Sequence, residues 1–285
     1  MNEFFNDLWL SQRVLILSGF GFLVATAVFA GSTLFDSTQI LGINRWIKPL
    51  KFSSSIAIFL LTLAIYLYFL PNFEKSKNLI AWGATLLMLG EMALITMQAA
   101  RGTTSHFNVA KSFDAAVFAA MGLMIVVNSL LVAYLAILYF RADFALPNSI
   151  VWGLRFGLIL FLLGSVQGGY MGSQAGHAVN AADGGAGLPL VNWSTKGGDL
   201  RVAHFLGLHA LQIVPIFAFG FQYFHEKFAF PTPVILTAGF AIIYFGLFNF
   251  LFIQAIKGKP IFGEKSSKLI KHSEEFEIKN YVSGH

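Results

Sequence analysis

Ala81-Trp82-Gly83-Ala84-Thr85-Leu86-Leu87-Met88-Leu89-Gly90-Glu91-Met92-Ala93-Leu94-Ile95 decides the fold of this chain. It sits inside an apolar stretch over 79–100 that carries a single charge, Glu91, before Arg101 closes it. At about 1.5 Å per helical residue such a stretch crosses roughly 30 Å of hydrocarbon. Similar runs fall near 14–31, 52–70, 114–140, 150–174, 201–223 and 233–256. Seven spans of this length are helices, because barrel strands are about ten residues long and alternate strictly. Pro71, Pro147 and Pro231 lie in the connections, and Pro215 falls inside the sixth span, where it predicts a kink.

The composition agrees. Of 285 residues, 56% are hydrophobic and 12% charged, about half the roughly 25% of soluble domains. That excludes a disordered chain and an ordinary soluble globule. Cysteine is absent, so thiolate metal sites and cysteine nucleophiles are excluded. The net charge of +5 comes without a basic stripe interleaved with aromatics, which argues against nucleic acid. The bilayer is the expected partner, with a small or lipophilic substrate.

The expected organisation is an all-α bundle of seven transmembrane helices over 1–256, followed by a mobile basic tail over 257–285. The acidic flank Glu3 to Asp7 lacks the positive start of a signal peptide, so the first span is read as retained, with its N-terminus outside. Thirteen of the 19 Lys and Arg then lie on the cytoplasmic side, as the positive-inside rule expects. A bacterial inner (plasma) membrane fits this pattern.

Function is sought in the polar residues at bilayer depth, which are costly there. Glu91 lies ten residues, about 15 Å, from Arg101. The same ruler places His209 ten residues into the sixth span and Gln167 ten residues before His177, so the three are expected to share a midplane layer. Glu91 and His209 are the expected partners, with Gln212 one turn further on; the alternative is a structural interhelical bond. A second layer is expected at the cytoplasmic face, from His106, Asp114, His177 and His204. Three His and an Asp in one layer suit zinc or iron, so His106, His177 and His204 are candidate metal ligands. Glu91, His209 and Asp114 are the candidates for acid–base work.

The fifth span carries Gly164, Gly168, Gly172 and Gly176 every four residues. Close helix packing is the stronger reading of that stripe. The other reading is a flat b-type haem or quinone against Gly168 and Gly172, with His177 and His204 as axial ligands. The long connection over 178–198 is rich in Gly yet keeps Leu188, Val191 and Trp193, so it is expected to dock over the cytoplasmic layer as a lid. Trp46, between Arg45 and Lys48, reads as an interfacial anchor, and Arg155 as a residue that snorkels to the outer surface.

Ser105-His106, Asp114 and His204/His209 occur in an order similar to that of seven-span metal hydrolases of the ceramidase and progestin-receptor superfamily. That resemblance implies metal-dependent hydrolysis. The spacing departs from the pattern, and the later His pair sits on the sixth span instead of the seventh. Three functions remain open: a membrane-embedded metal- or haem-dependent enzyme, a proton-coupled transporter using Glu91 and His209, and a non-catalytic sensor or assembly factor.

Overall fold

The computed structural model describes residues 2–184, 187–188, 191–229 and 232–262. Seven helices are long and apolar enough to cross a membrane: α2 (Arg13–Phe35), α3 (Ile47–Phe69), α4 (Glu74–Ala100), α5 (Ser112–Arg141), α6 (Asn148–Ser173), α7 (Leu200–Phe228) and α8 (Pro233–Ile256). The chain is a seven-helix integral membrane protein. Most of the tail read from the sequence lies outside the described residues. A short helix, α1 (Asn2–Ser11), precedes the spans. It is too short to cross, which is why a hydropathy reading passes over it. Phe4 packs edge-on against Tyr68 at the end of α3, while Phe5 and Trp9 on the adjoining side are exposed.

Consecutive helices run antiparallel, so the connections alternate between two faces. One face carries 36–46, 101–111 and 174–199; it is called the site face below. Two small ribbons pin it: β1 (Gln39–Ile40) with β2 (Ile43–Asn44), and β3 (Ala178–Val179) with β4 (Gly198–Asp199). The hairpin over 36–46 is closed by Asp36, which accepts from Trp46 Nε1 at 2.8 Å and pairs with Arg45. Hydrogen bonds from Thr38 first, then from Trp46 and Arg45, hold the Asp36 carboxyl far below the usual carboxylate range. Trp46 also stacks on Phe29, so it locks the hairpin to α2.

One apolar core runs from α2 to α6 through Leu15, Leu60, Leu67, Leu135 and Leu158. Residues such as Ile242, Ile243 and Phe250 on α8 are exposed, as lipid-facing positions are. α6 and α7 form the most extensive helix pair, and glycine explains why. A Cβ on Gly164 would lie 2.9 Å from the Gly207 Cα, one on Gly157 2.6 Å from the Tyr66 hydroxyl, and one on Gly153 would overlap the Ala218 Cβ. The contact stripe therefore follows 153, 157, 164 and 168. A strict four-residue repeat drifts about 40° per step on a helix of 3.6 residues per turn. By Gly172 the drift has carried the residue off the contact, and among the described residues nothing lies within 4 Å of where its Cβ would be.

Pro215 lies inside the continuous helix α7. It has no N–H to give the Leu211 carbonyl four residues earlier. The buried Tyr66 hydroxyl donates to that carbonyl at 3.0 Å. In hydrocarbon every freed backbone group needs such a partner. Tyr139 in turn donates to the Tyr66 carbonyl at 2.7 Å, and Arg155 Nε donates to the Tyr139 carbonyl at 3.0 Å. Arg155 does not simply reach for the surface; it ends a chain of bonds and lies over Trp152 and Phe140.

Candidate functional site

Glu91 is 1% exposed, about 14 Å along α4 from its Ala100 end. Among the described residues nothing hydrogen-bonds either of its carboxylate oxygens. The group that faces it is His106, whose Nε2 lies 4.0 Å from Oε1. His106 belongs to the connection between α4 and α5, which folds back toward the bundle. Phe107, in the left-handed region at φ 58°, helps to make that reversal. The imidazole is walled by Phe52, Phe107 and Phe118, with ring centroids 5.5 to 6.2 Å away.

Two groups meet the other ring nitrogen. Lys48 Nζ, in the first turn of α3, lies 3.0 Å from Nδ1, and the buried Ser105 Oγ lies 3.1 Å from it. An ammonium can only donate, so Lys48 requires Nδ1 to accept. The ring proton then sits on Nε2, directed at Glu91. Burial, with Lys48 and His177 nearby, holds the His106 imidazole well below its ordinary value of 6.5, so it is neutral.

A second group of charges adjoins the first. Arg201 pairs with Asp199 at 2.6 Å and donates to the Asn192 carbonyl at 2.7 Å. Asp199 is the N-cap of α7: its side chain accepts from the Arg201 N–H at 3.0 Å and from the Ser194 N–H at 2.7 Å. Those donors and the guanidinium lower its carboxyl despite burial. Lys51 donates to the Val191 carbonyl at 3.1 Å. His177 Nδ1 lies 2.6 Å from Asp183 Oδ1, and Asp183 also accepts from the N–H groups of His177 and Ala178. Burial and Arg201 hold the His177 imidazole below 6.5, against the opposing pull of Asp183 and Asp199. Through Lys51, Arg201 and β3–β4 the long connection is tied across the site face, as a docked lid is expected to be. Residues 185–186 and 189–190 of that connection lie outside the described residues.

Several expected groupings are not formed. Glu91 does not meet His209. His209 Nδ1 bonds the Phe205 carbonyl of its own helix at 2.9 Å and its ring stacks on Phe205, while Gln212 bonds Thr62. Equal counts along two helices place residues at one level but not on facing sides. Gln167 also leaves the expected layer. α6 stops at Ser173, well short of His177, and the Gln167 amide donates to the Leu200 carbonyl at the start of α7.

The three candidate metal ligands do not converge either. His106 is taken by Lys48. His177 is taken by Asp183. His204 Nδ1 lies 2.8 Å from the Gly164 carbonyl. Among the described residues no group of three His, Cys, Asp or Glu is placed to hold a metal ion. Between Gly168 and His204 there is no slot for a flat group, since a Cβ on Gly168 would already meet the His204 ring at 2.5 Å. Gly172 lies off that contact. Asp114 is engaged elsewhere, accepting from Gln98 at 2.9 Å and pairing with Arg101 at 2.6 Å to tie α4 to α5.

Lys48 is the site residue that sequence reasoning misses; Ser105 enters there only beside His106, as part of the resemblance. Hydropathy makes Lys48 a flank of the Trp46 anchor. The available signal is its position at a span boundary, one helical turn before Lys51, from which a long side chain can turn inward as well as outward. No family model matches this chain, and no curated protein or solved structure is significantly similar to it.

Proposed function

We propose that this protein is a membrane-embedded enzyme that works by general acid–base chemistry at one face of the bundle, on a small or lipophilic substrate. The observation that carries the reading is Glu91: a carboxylate 1% exposed, without a hydrogen bond among the described residues, facing an imidazole whose other nitrogen is held by an ammonium. Structural polar groups in membrane helices find partners. A carboxylate and a histidine 4.0 Å apart, with nothing bonded between them, suit proton movement once they close to hydrogen-bonding distance. The site face is the cytoplasmic one on the Lys and Arg distribution.

A one-sided site favours this over a proton-coupled carrier, which needs a polar route from both faces. Glu91 with His209 supplies no such route. At the opposite face the buried Tyr66 and Tyr139 and the half-buried Arg155 are bonded to backbone carbonyls. Metal and haem chemistry are not part of the proposal, since the histidines are dispersed.

Infrared titration of the purified protein in lipid tests the reading. A carboxyl band that titrates should vanish in Glu91→Gln and shift in its midpoint in His106→Ala. A Glu91 band that ignores the loss of His106 would show that the two do not share protons, and the acid–base reading would fall.

A further inference from the structure

We infer that Ser105 is a nucleophile, and that the site transfers acyl groups from lipophilic esters or amides through a covalent seryl intermediate. The inference rests on the acid–base reading above and adds to it a nucleophile and a substrate class. Its basis is the arrangement Ser105–His106–Glu91. The Ser105 hydroxyl lies 3.1 Å from Nδ1, and the opposite nitrogen of the same ring faces the buried carboxylate at 4.0 Å. Nucleophile, base and orienting acid in that sequence are what activates a serine, and they are recognised by geometry, whatever the fold.

Lys48 completes the arrangement. Its ammonium lies 3.0 Å from the nitrogen that Ser105 also touches, so Nζ and Oγ are neighbours. A fixed positive charge beside the attacking oxygen is placed to stabilise the oxyanion that forms on the carbonyl. Lys48 and Ser105 compete for one lone pair on Nδ1. As Lys48 turns to the developing oxyanion, Nδ1 is freed to take the serine proton. The neutral state of His106 and its Nε2–H tautomer suit that role.

The step balances without a further reagent besides water. Ser105 Oγ bonds to the substrate carbonyl carbon and its proton passes to Nδ1. The carbon–oxygen or carbon–nitrogen bond of the leaving group breaks, and the alcohol or amine takes that proton. Water then attacks the acyl-serine, again giving a proton to Nδ1, and Ser105 is regenerated with release of the acid. Glu91 steadies the transient imidazolium from the Nε2 side. Phe52, Phe107 and Phe118 around the ring offer an apolar wall to an acyl chain.

The absence of cysteine gives a clean test in the full chain. The wild type is treated in detergent with a small alkyl fluorophosphonate and its mass measured. A single phosphonyl adduct on Ser105 is expected, lost in Ser105→Ala and in His106→Ala. In Ser105→Cys the only thiol should be alkylated by a small uncharged haloacetamide at least tenfold faster than in the double variant that also carries His106→Ala. An adduct that persists in Ser105→Ala overturns the inference. So does an unlabelled wild type, whether the thiol introduced by Ser105→Cys is alkylated at an ordinary rate or is sealed from the reagent. The infrared titration separates this outcome from failure of the parent reading: a Glu91 band coupled to His106 with no adduct removes the nucleophile and leaves the acid–base pair.

Discussion

Two sets of polar side chains inside the bundle are treated differently. Away from the site face, Tyr66, Tyr139 and Arg155 are each bonded to a backbone carbonyl, and one of those carbonyls is the orphan left by Pro215. Toward the site face, Glu91 is as deeply buried as Tyr66 yet has no hydrogen bond among the described residues. Burial alone therefore does not mark function. A satisfied polar group holds helices together, whereas an unsatisfied one next to a titratable partner stores the capacity to gain or lose a proton.

Substitutions probe this contrast. The largest effect is expected at the contact that sets the helix frame. Gly164→Leu drives a side chain into the Gly207 backbone, which cannot yield as a flexible side chain would. Overpacking of this kind should destabilise by about 3 kcal/mol, read as a drop in the thermal unfolding midpoint in detergent. Gly172→Leu, facing open space, should leave that midpoint nearly unchanged. Equal losses at the two positions would show that the stripe is not the α6–α7 contact.

Acid is the next lever, and it acts on the site face. His106 and His177 are both held below 6.5 in the folded protein. The unfolded chain therefore binds more protons as pH falls through that value, so the histidines' contribution is complete above pH 6.5 and is lost below it. The slope should approach about 1.4 kcal/mol per pH unit for each group while the unfolded histidine is charged and the folded one is not. His106→Ala and His177→Ala should each flatten the dependence; an unchanged slope in both variants would place its origin elsewhere.

Smaller and opposite effects should separate the two sets most sharply. Tyr66→Phe leaves the Leu211 carbonyl without its donor and should cost about 1–2 kcal/mol. Glu91→Gln replaces a carboxyl that no hydrogen bond holds among the described residues, and should change stability by less than about 0.5 kcal/mol or raise it. Loss of stability in Glu91→Gln comparable to that in Tyr66→Phe would make Glu91 another structural group.

Much of the frame is legible in the sequence. The seven spans follow from hydropathy, and the docking of the 178–198 connection from the apolar residues kept in a Gly-rich segment. The depth of Glu91 is legible as well, but its partner is not. Counting along helices gives level, so it pairs Glu91 with His209, which faces Phe205 instead. Counting does not show that the segment after Arg101 folds back and delivers His106. The glycines of α6 are legible as a packing face only roughly, because the true contact follows the helical repeat through Gly153 and Gly157. Polar side chains at the face read as a common metal layer because residue type suggests ligands. Their dispersal among Lys48, Asp183 and Gly164 depends on tertiary neighbours.

Lys48 bonds His106 at one ring nitrogen and Glu91 faces it from the other, and everything proposed for the site depends on that arrangement. Nitrogen NMR of the labelled histidine rings in lipid reads it without an intermediary. A neutral His106 near neutral pH is expected, with its proton on Nε2. The Nε2 resonance should move in Glu91→Gln and the Nδ1 resonance in Lys48→Met. A His106 proton on Nδ1, or a ring indifferent to both substitutions, is incompatible with the arrangement.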